Sequence, residues 1–316
     1  MGQVLNENGH DVLLWHLEQD FVDEINKSHT HPFLPGVNLS NTLQFTASLD
    51  DISDYGDGLV SAVPSQVVRV VLDKFPSGWK KLVVSVSKGI ENNTGMRMSQ
   101  VILETLHLTT EEIVILSGPS HAEEVSQKYP TTVVAACADI NHARDVQKLF
   151  SNDYFRVYSG NDVIGVEIGG AAKNIIALAA GICHGLGYGD NTMAALVTRG
   201  LEEIIRLGTT LGAERATFSG LSGMGDLIVT AFSPHSRNRQ VGERIGKGEK
   251  LSDILAGMKM VAEGVETARS IHGLTQKNNI EMPICEQIYK VLFEDVSPRQ
   301  GILNLMGREL VDEPSV

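Results

Sequence analysis

Along the first half of the chain, apolar residues gather in short continuous runs instead of alternating with polar ones. Strands buried on both faces have that pattern. Strands are predicted over residues 11–15, 58–63, 81–86, 112–116, 131–136 and 155–158, after a helix stub over 1–8 that ends at Asn8-Gly9. Helical periodicity lies between several of these runs, as over 65–75 and 142–150. Residues 28–41 read as an ordered loop. Alternating strands and helices imply an α/β fold with a mostly parallel, doubly wound sheet. From about Asp162 the pattern changes to helices with glycines at their ends and no convincing strand. The expected division is an α/β unit over 1–161 and an all-α unit over 162–316.

Composition narrows the function classes. At 316 residues, 42% of them apolar, the chain can build two ordinary cores. Its formal charge is −13 and it has no long basic run, which excludes nucleic acid as the expected partner. Any phosphate site must then be a local cationic island. Cys137, Cys183 and Cys285 lie far apart and form no CxxC pair, which fits a reducing cytosol and argues against a zinc site or disulfide framework. The N-terminus has no charged-then-apolar leader, and the most apolar helical stretch, 174–183, is too short to span a bilayer. A cytoplasmic protein with no integral membrane segment is expected.

Candidate chemistry sits where such sheets place it, at the carboxyl ends of strands. Ser87-Lys88-Gly89-Ile90-Glu91 follows one strand, and its lysine can reach into the crevice while the backbone turns away. Ser117-Gly118-Pro119-Ser120-His121-Ala122-Glu123 follows another, and Ser120 with Glu123 fits an S-x-x-E capping box. Val63-Pro64-Ser65 flanks the same edge, where Pro64 can start a helix. In the predicted helix from Asp162 to His184, Gly169, Gly170 and Ala177 share a face with Lys173, which clears room above the amine. Small and apolar neighbours would desolvate it and lower its pKa toward the working range of an acid–base catalyst. Two glycines inside a helix cost about 1 kcal/mol each relative to alanine, so close packing is also expected there. Finally, Gly220-Leu-Ser-Gly-Met-Gly-Asp226 leads through Ser233-Pro234 to a helix that starts at Ser236 with Arg237, Asn238 and Arg239 in its first turn. Arginines there oppose the helix dipole unless an anion occupies the free N–H groups, and a guanidinium fork suits phosphate.

Read together with Val261-Ala-Glu263-Gly and Met306-Gly-Arg-Glu, these motifs resemble, in order and spacing, the bacterial-type NAD(P)-dependent glycerol-3-phosphate dehydrogenase family over residues 1–308. The resemblance implies a Rossmann domain joined to a helical domain of the 6-phosphogluconate-dehydrogenase type. The implied reaction is reversible hydride transfer between NAD(P)H and dihydroxyacetone phosphate, giving sn-glycerol 3-phosphate for phospholipid synthesis. Lys173 is the implied proton donor. Lys88, Gly118, Ser120, Asp226, Ser236, Arg237 and Asn238 complete the implied substrate site. Ala122, Val261 and Glu263 line the cofactor, with Lys88 and Arg237 also near it, and His16 stands where the family often has Arg or His by the ribose. Trp15-His16-Leu17 leaves the choice between NAD and NADP open. A homodimer is implied by the family alone.

The family opens with a strand, G-x-G-x-x-G and a helix. Met1-Gly-Gln-Val-Leu matches the middle of that helix, so the neighbours of the missing strand are expected to lack a partner, and dinucleotide binding to be weak. Gly220-x-x-Gly-x-Gly is no substitute, because it follows no strand. A truncated homologue that only binds or dimerises is therefore the alternative function. A related hydroxyacid dehydrogenase is disfavoured, because those enzymes usually space lysine and asparagine several residues apart, whereas Lys173 and Asn174 are adjacent.

Overall fold

The structure, a computed structural model, describes residues 1–258, 260–310 and 312–313. Its first half contains α1 (Gly2–Glu7), β1 (Leu13–Trp15), α2 (Gln19–Ser28), β2 (Gln44–Thr46) and α3 (Leu49–Tyr55). Then come β3 (Leu59–Ser61), α4 (Val68–Leu72), β4 (Val83–Ser85), α5 (Met98–Leu106), β5 (Ile113–Ser117), α6 (Ala122–Ser126), β6 (Thr131–Ala136), α7 (Ile140–Phe150) and β7 (Phe155–Gly160). All the predicted strands form, several shorter than their apolar runs. The helix predicted over 65–75 is a 3₁₀ turn at Ser65–Val67 continued by α4, with Pro64 just before it.

Strands β3 to β7 form one sheet in chain order, parallel throughout except for the antiparallel β5–β6 pair. β1 and β2 pair in parallel with each other and make a separate sheet. Among the described residues β1 pairs only with β2, and β3 only with β4, so the strands form two separate sheets. The five-stranded sheet is covered on both faces. Met98, Val101 and Ile102 of α5 pack with Val83, Ile113 and Ile115, and Ala143, Val146 and Phe150 of α7 pack with Val114, Val133 and Phe155. This is the doubly wound arrangement.

The second half contains α8 (Val163–Gly185), α9 (Asp190–Thr210), α10 (Asp226–Phe232), α11 (Arg237–Gly246), α12 (Leu251–Ala256), α13 (Glu263–Asn278), α14 (Pro283–Phe293) and α15 (Pro298–Met306). Among the described residues it has no strand. The axis of this half is α8, whose Ile168, Ile175, Ile176 and Leu178 are fully buried against the helices around it. The stretch 174–183 is therefore part of a longer element. With 23 residues α8 is long and apolar enough to cross a membrane, but 89% of its most apolar window is buried within the protein, so it serves as a core helix.

Helices α8 and α11 touch backbone to backbone. A Cβ on Gly181 would overlap the carbonyl oxygen of Arg239, one on Gly185 that of Glu243, one on Gly242 that of Leu178, and one on Gly246 that of Ile182. Only glycine at these four positions permits the approach. It fixes the start of α11, where Ser236 to Asn238 lie, against the helix that carries Lys173.

Candidate active site

Lys173 is 5% exposed and lies in the middle of α8. It does not snorkel to water. Its Nζ donates to Asp226 Oδ1 at 2.5 Å and to Thr230 Oγ1 at 2.7 Å. Asp226 is 1% exposed and begins α10, just after a wide π-type turn over Leu221–Gly225. Its other oxygen, Oδ2, accepts from Lys88 Nζ at 2.7 Å. Lys88 also donates to the carbonyl of Gly118 at 2.8 Å. One carboxylate therefore bridges two ammonium groups, one from each half of the chain.

The electrostatics follow from this bridge. Burial pushes the Lys173 amine down, Lys88 pushes it further, and Asp226 opposes both, leaving it at about 8 against an ordinary 10.5. Burial alone would raise Asp226, but the two lysines outweigh it and hold the carboxyl below its ordinary value. The trio carries a net positive charge next to Arg237 on a strongly acidic protein, the cationic island that a phosphate site needs.

Of the two purposes expected for the glycines beside Lys173, close packing is the one the contacts show. A Cβ on Gly169 would meet the Ser222 carbonyl oxygen at 2.6 Å, and one on Gly170 would meet Ser117 Oγ at 2.7 Å. They admit the turn over Leu221–Gly225 and the end of β5 against α8, so they bring Asp226 and Gly118 to the lysine instead of clearing space for a ligand. Gly118 itself has φ +144°, and a Cβ there would lie 2.9 Å from Val133 Cα. That turn overrides the expected capping box. Ser120 Oγ donates back to the Gly118 carbonyl at 3.1 Å, and α6 starts after His121 with no side-chain cap.

The start of α11 is as the sequence predicts. Ser236 Oγ accepts from Arg239 N at 3.2 Å. Arg237 is exposed and donates through one guanidinium nitrogen to the Val261 carbonyl at 2.7 Å. Asn238 is buried, donating to Asn174 Oδ1 at 2.8 Å and accepting from Gly264 N at 2.9 Å, so it ties α11 to α8 and α13. Glu263 at the start of α13 accepts from Ser65 N at 3.0 Å and from Ser65 Oγ, which links it to the Val63-Pro64-Ser65 loop. Burial raises the Glu263 carboxyl, and the Ser65 donors hold it back.

A single cleft of about 850 Å³ collects most of these groups: His16, Lys88, Ser120, Ala122, Lys173, Ser236, Arg237, Asn238, Val261 and Glu263 all line it. Gly118 and Asp226 lie behind its wall, each bonded to Lys88. Thr230 and Asn174 also line the cleft, and residue-by-residue reading missed both. The available signal for Thr230 is its place one helical turn after Asp226. Phe21, His31 and Phe33 line the cleft too: the His16 ring stacks on Phe21 with centroids 3.9 Å apart, and His31 and Phe33 continue the group. All three cysteines are buried and free.

Comparison with known proteins points to one family. Models of the NAD-dependent glycerol-3-phosphate dehydrogenase N-terminus and C-terminus match residues 1–143 and 162–303. A glycerol-3-phosphate dehydrogenase (NAD(P)+) from Lysinibacillus sphaericus is 50% identical over 312 residues, 98% of this chain and 92% of the relative. One from Listeria innocua is 49% identical over 310 residues, covering 97% and 92%. The crystal structure of glycerol-3-phosphate dehydrogenase from Coxiella burnetii superposes with a TM-score of 0.92 at 32% identity, covering 97% of this chain and 94% of that one. D-mandelate dehydrogenase, at 12% identity and a TM-score of 0.61, shares the fold alone.

Proposed function

The chain belongs to the family of NAD-dependent glycerol-3-phosphate dehydrogenases, and on that premise we propose that it interconverts dihydroxyacetone phosphate and sn-glycerol 3-phosphate with NAD or NADP, feeding glycerophospholipid synthesis. The observation that carries the reading is the Lys173–Asp226–Lys88 bridge in the same cleft as Arg237.

An ammonium has three N–H donors. Lys173 spends two on Asp226 and Thr230, and Lys88 spends two on Asp226 and Gly118. Each lysine keeps one donor for the substrate. NAD(P)H, when bound, supplies the hydride. The Lys173 ammonium gives its proton to the carbonyl oxygen as negative charge builds there, and the neutral amine takes it back in the reverse direction. Lys88 adds a second positive donor to the same oxygen or its neighbour. Asp226 holds both amines at fixed positions and keeps Lys173 charged enough to donate. The Arg239 N–H is taken by the Ser236 cap, which leaves the Arg237 and Asn238 N–H groups of the first turn of α11 to grip the phosphate together with the rest of the Arg237 guanidinium. His16, Ala122, Val261 and Glu263 would hold the dinucleotide, with the base on the His16–Phe21 stack. On this reading residues 1–161 carry the cofactor and 162–316 supply most of the substrate groups.

A merely binding or dimerising protein has no observation in its favour, because nothing in such a role needs two lysines bridged by one buried carboxylate. Free thiols fit a cytoplasmic enzyme, and a homodimer is the proposed assembly. The direct test is loss of NADH or NADPH absorbance when the purified chain meets dihydroxyacetone phosphate. Turnover is expected with that ketone and not with unphosphorylated dihydroxyacetone at the same concentration.

A further inference from the structure

His121 is not part of the machinery described so far. It lies between Ser120 and Ala122 at the turn after β5, and its side chain lines the same cleft. Its Nε2 is shielded from solvent and has no hydrogen-bond partner in the protein. Folded proteins rarely keep such an atom without a use for it. Burial, then the Lys173 charge, lowers its pKa, with Lys88 acting the same way and Glu123 and Asp226 opposing, so the ring is neutral at physiological pH and has one donor and one acceptor nitrogen. The nearest ring is that of His235, 6.2 Å away between centroids, and His235 directly precedes the Ser236 cap of α11. His121 therefore lies within electrostatic reach of the Lys173 cluster and beside the residue that precedes the Ser236 cap. The Cβ–Cγ torsion of histidine is broad, so a modest rotation turns Nε2 out of its niche into the cleft that the ring already borders.

We propose that His121 is a further substrate contact, whose Nε2 turns to hydrogen-bond the phosphate group of the bound three-carbon ester. This rests on the proposed dehydrogenase reading and adds to it a specific phosphate ligand from the α/β half of the chain. It gives the phosphate partners on both walls of the cleft: the start of α11 on one, the turn after β5 on the other.

Two variants of the full chain test it. His121→Phe keeps the ring volume and removes both nitrogens, while His121→Gln places an amide nitrogen close to where Nε2 stands. In steady-state assays the Phe variant is expected to raise the KM for dihydroxyacetone phosphate at least about tenfold, the usual scale for losing a hydrogen bond to a charged group. Its KM for the nicotinamide cofactor is expected to be unchanged, and the Gln variant to return to within about threefold of wild type. Inorganic phosphate, as a competitive inhibitor, is expected to weaken by a similar factor in the Phe variant. An unchanged ketone KM, an equal rise in the cofactor KM, a Gln variant as impaired as Phe, or an unaltered inhibition by phosphate would each overturn the assignment. Failure of the dehydrogenase reading itself is a separate outcome, seen as an inert wild-type protein.

Discussion

The carboxylate of Asp226 offers the sharpest test of the proposed site, because on that reading it controls a proton it never transfers. Asp226→Asn keeps the shape and removes the charge between Lys173 and Lys88. A charge pair about 4 Å apart at an effective dielectric of about 20 is worth about 4 kcal/mol, and one pKa unit corresponds to about 1.4 kcal/mol. Even if relaxation and water penetration erase half of that, the Lys173 amine loses more than about one pKa unit. Exposing Lys173 to an uncompensated Lys88 acts in the same direction. With Lys173 at about 8 in the wild type, kcat/KM for ketone reduction is expected to be level at neutral pH and to fall as pH rises through about 8, because the ammonium is the required form. In Asp226→Asn that falling limb is expected below pH 7, with a lower plateau. Oxidation of glycerol 3-phosphate needs the neutral amine, so its rising limb should move the same way. The assay is a pair of pH–rate profiles on folded protein, checked by circular dichroism. A limb that stays in place or moves to higher pH refutes the claim that Asp226 sets the protonation of Lys173.

Other outcomes follow from the same geometry. Lys173→Ala is expected to lower kcat by about 10²–10⁴ with little change in cofactor KM, and near-normal reduction would remove the lysine from its role. Arg237→Ala is expected to raise the KM for dihydroxyacetone phosphate by about tenfold or more, as for loss of a charged hydrogen bond, whereas an unchanged KM would mean that the phosphate lies elsewhere. Gly242→Ala must push α11 away from α8, so a loss of about 1–3 kcal/mol of stability and a raised substrate KM are expected together, read by denaturant unfolding and kinetics. Glu203 is buried beneath the backbone N–H groups of Ile284 and Cys285, and burial raises it from 4.5 to about 7. Its stabilising contribution is full below about pH 4.5 and is lost as pH rises through about 7, on the order of 3 kcal/mol. Wild type should therefore lose stability over that range relative to Glu203→Gln.

Much of this was legible in the sequence because it is local. Short apolar-rich runs marked β3 to β7, although only β4 and β5 are buried on both faces and β7 alternates buried with exposed residues, and Ser236 marked the start of α11 by its own hydroxyl. What stayed hidden depends on contacts between distant parts of the chain. β2 is three residues long and starts with an exposed Gln44, so it carries no apolar run to see. The antiparallel turn of β6 is set by the chain's path, and nothing in Thr131–Ala136 encodes direction. Lys173 and Asp226 could each be picked out as polar residues in apolar or glycine-rich settings, but their pairing, 53 positions apart, could not. The Ser120–Glu123 spacing fits a cap, yet the backbone of Gly118 decides that turn. Gly169 and Gly170 were rightly expected to serve close packing, though what packs there is the π-type turn and Ser117, both far away in sequence.

The glycine crossing of α8 and α11 makes the separation between Lys173 and the Arg237 turn a rigid gauge. Main chain rests on main chain there, with no side-chain cushion to compress or repack. On the proposed reading, an ester one carbon longer or shorter would not be accommodated by adjusting that spacing, so any change of substrate length would have to come from the opposite wall, where side chains line the opening.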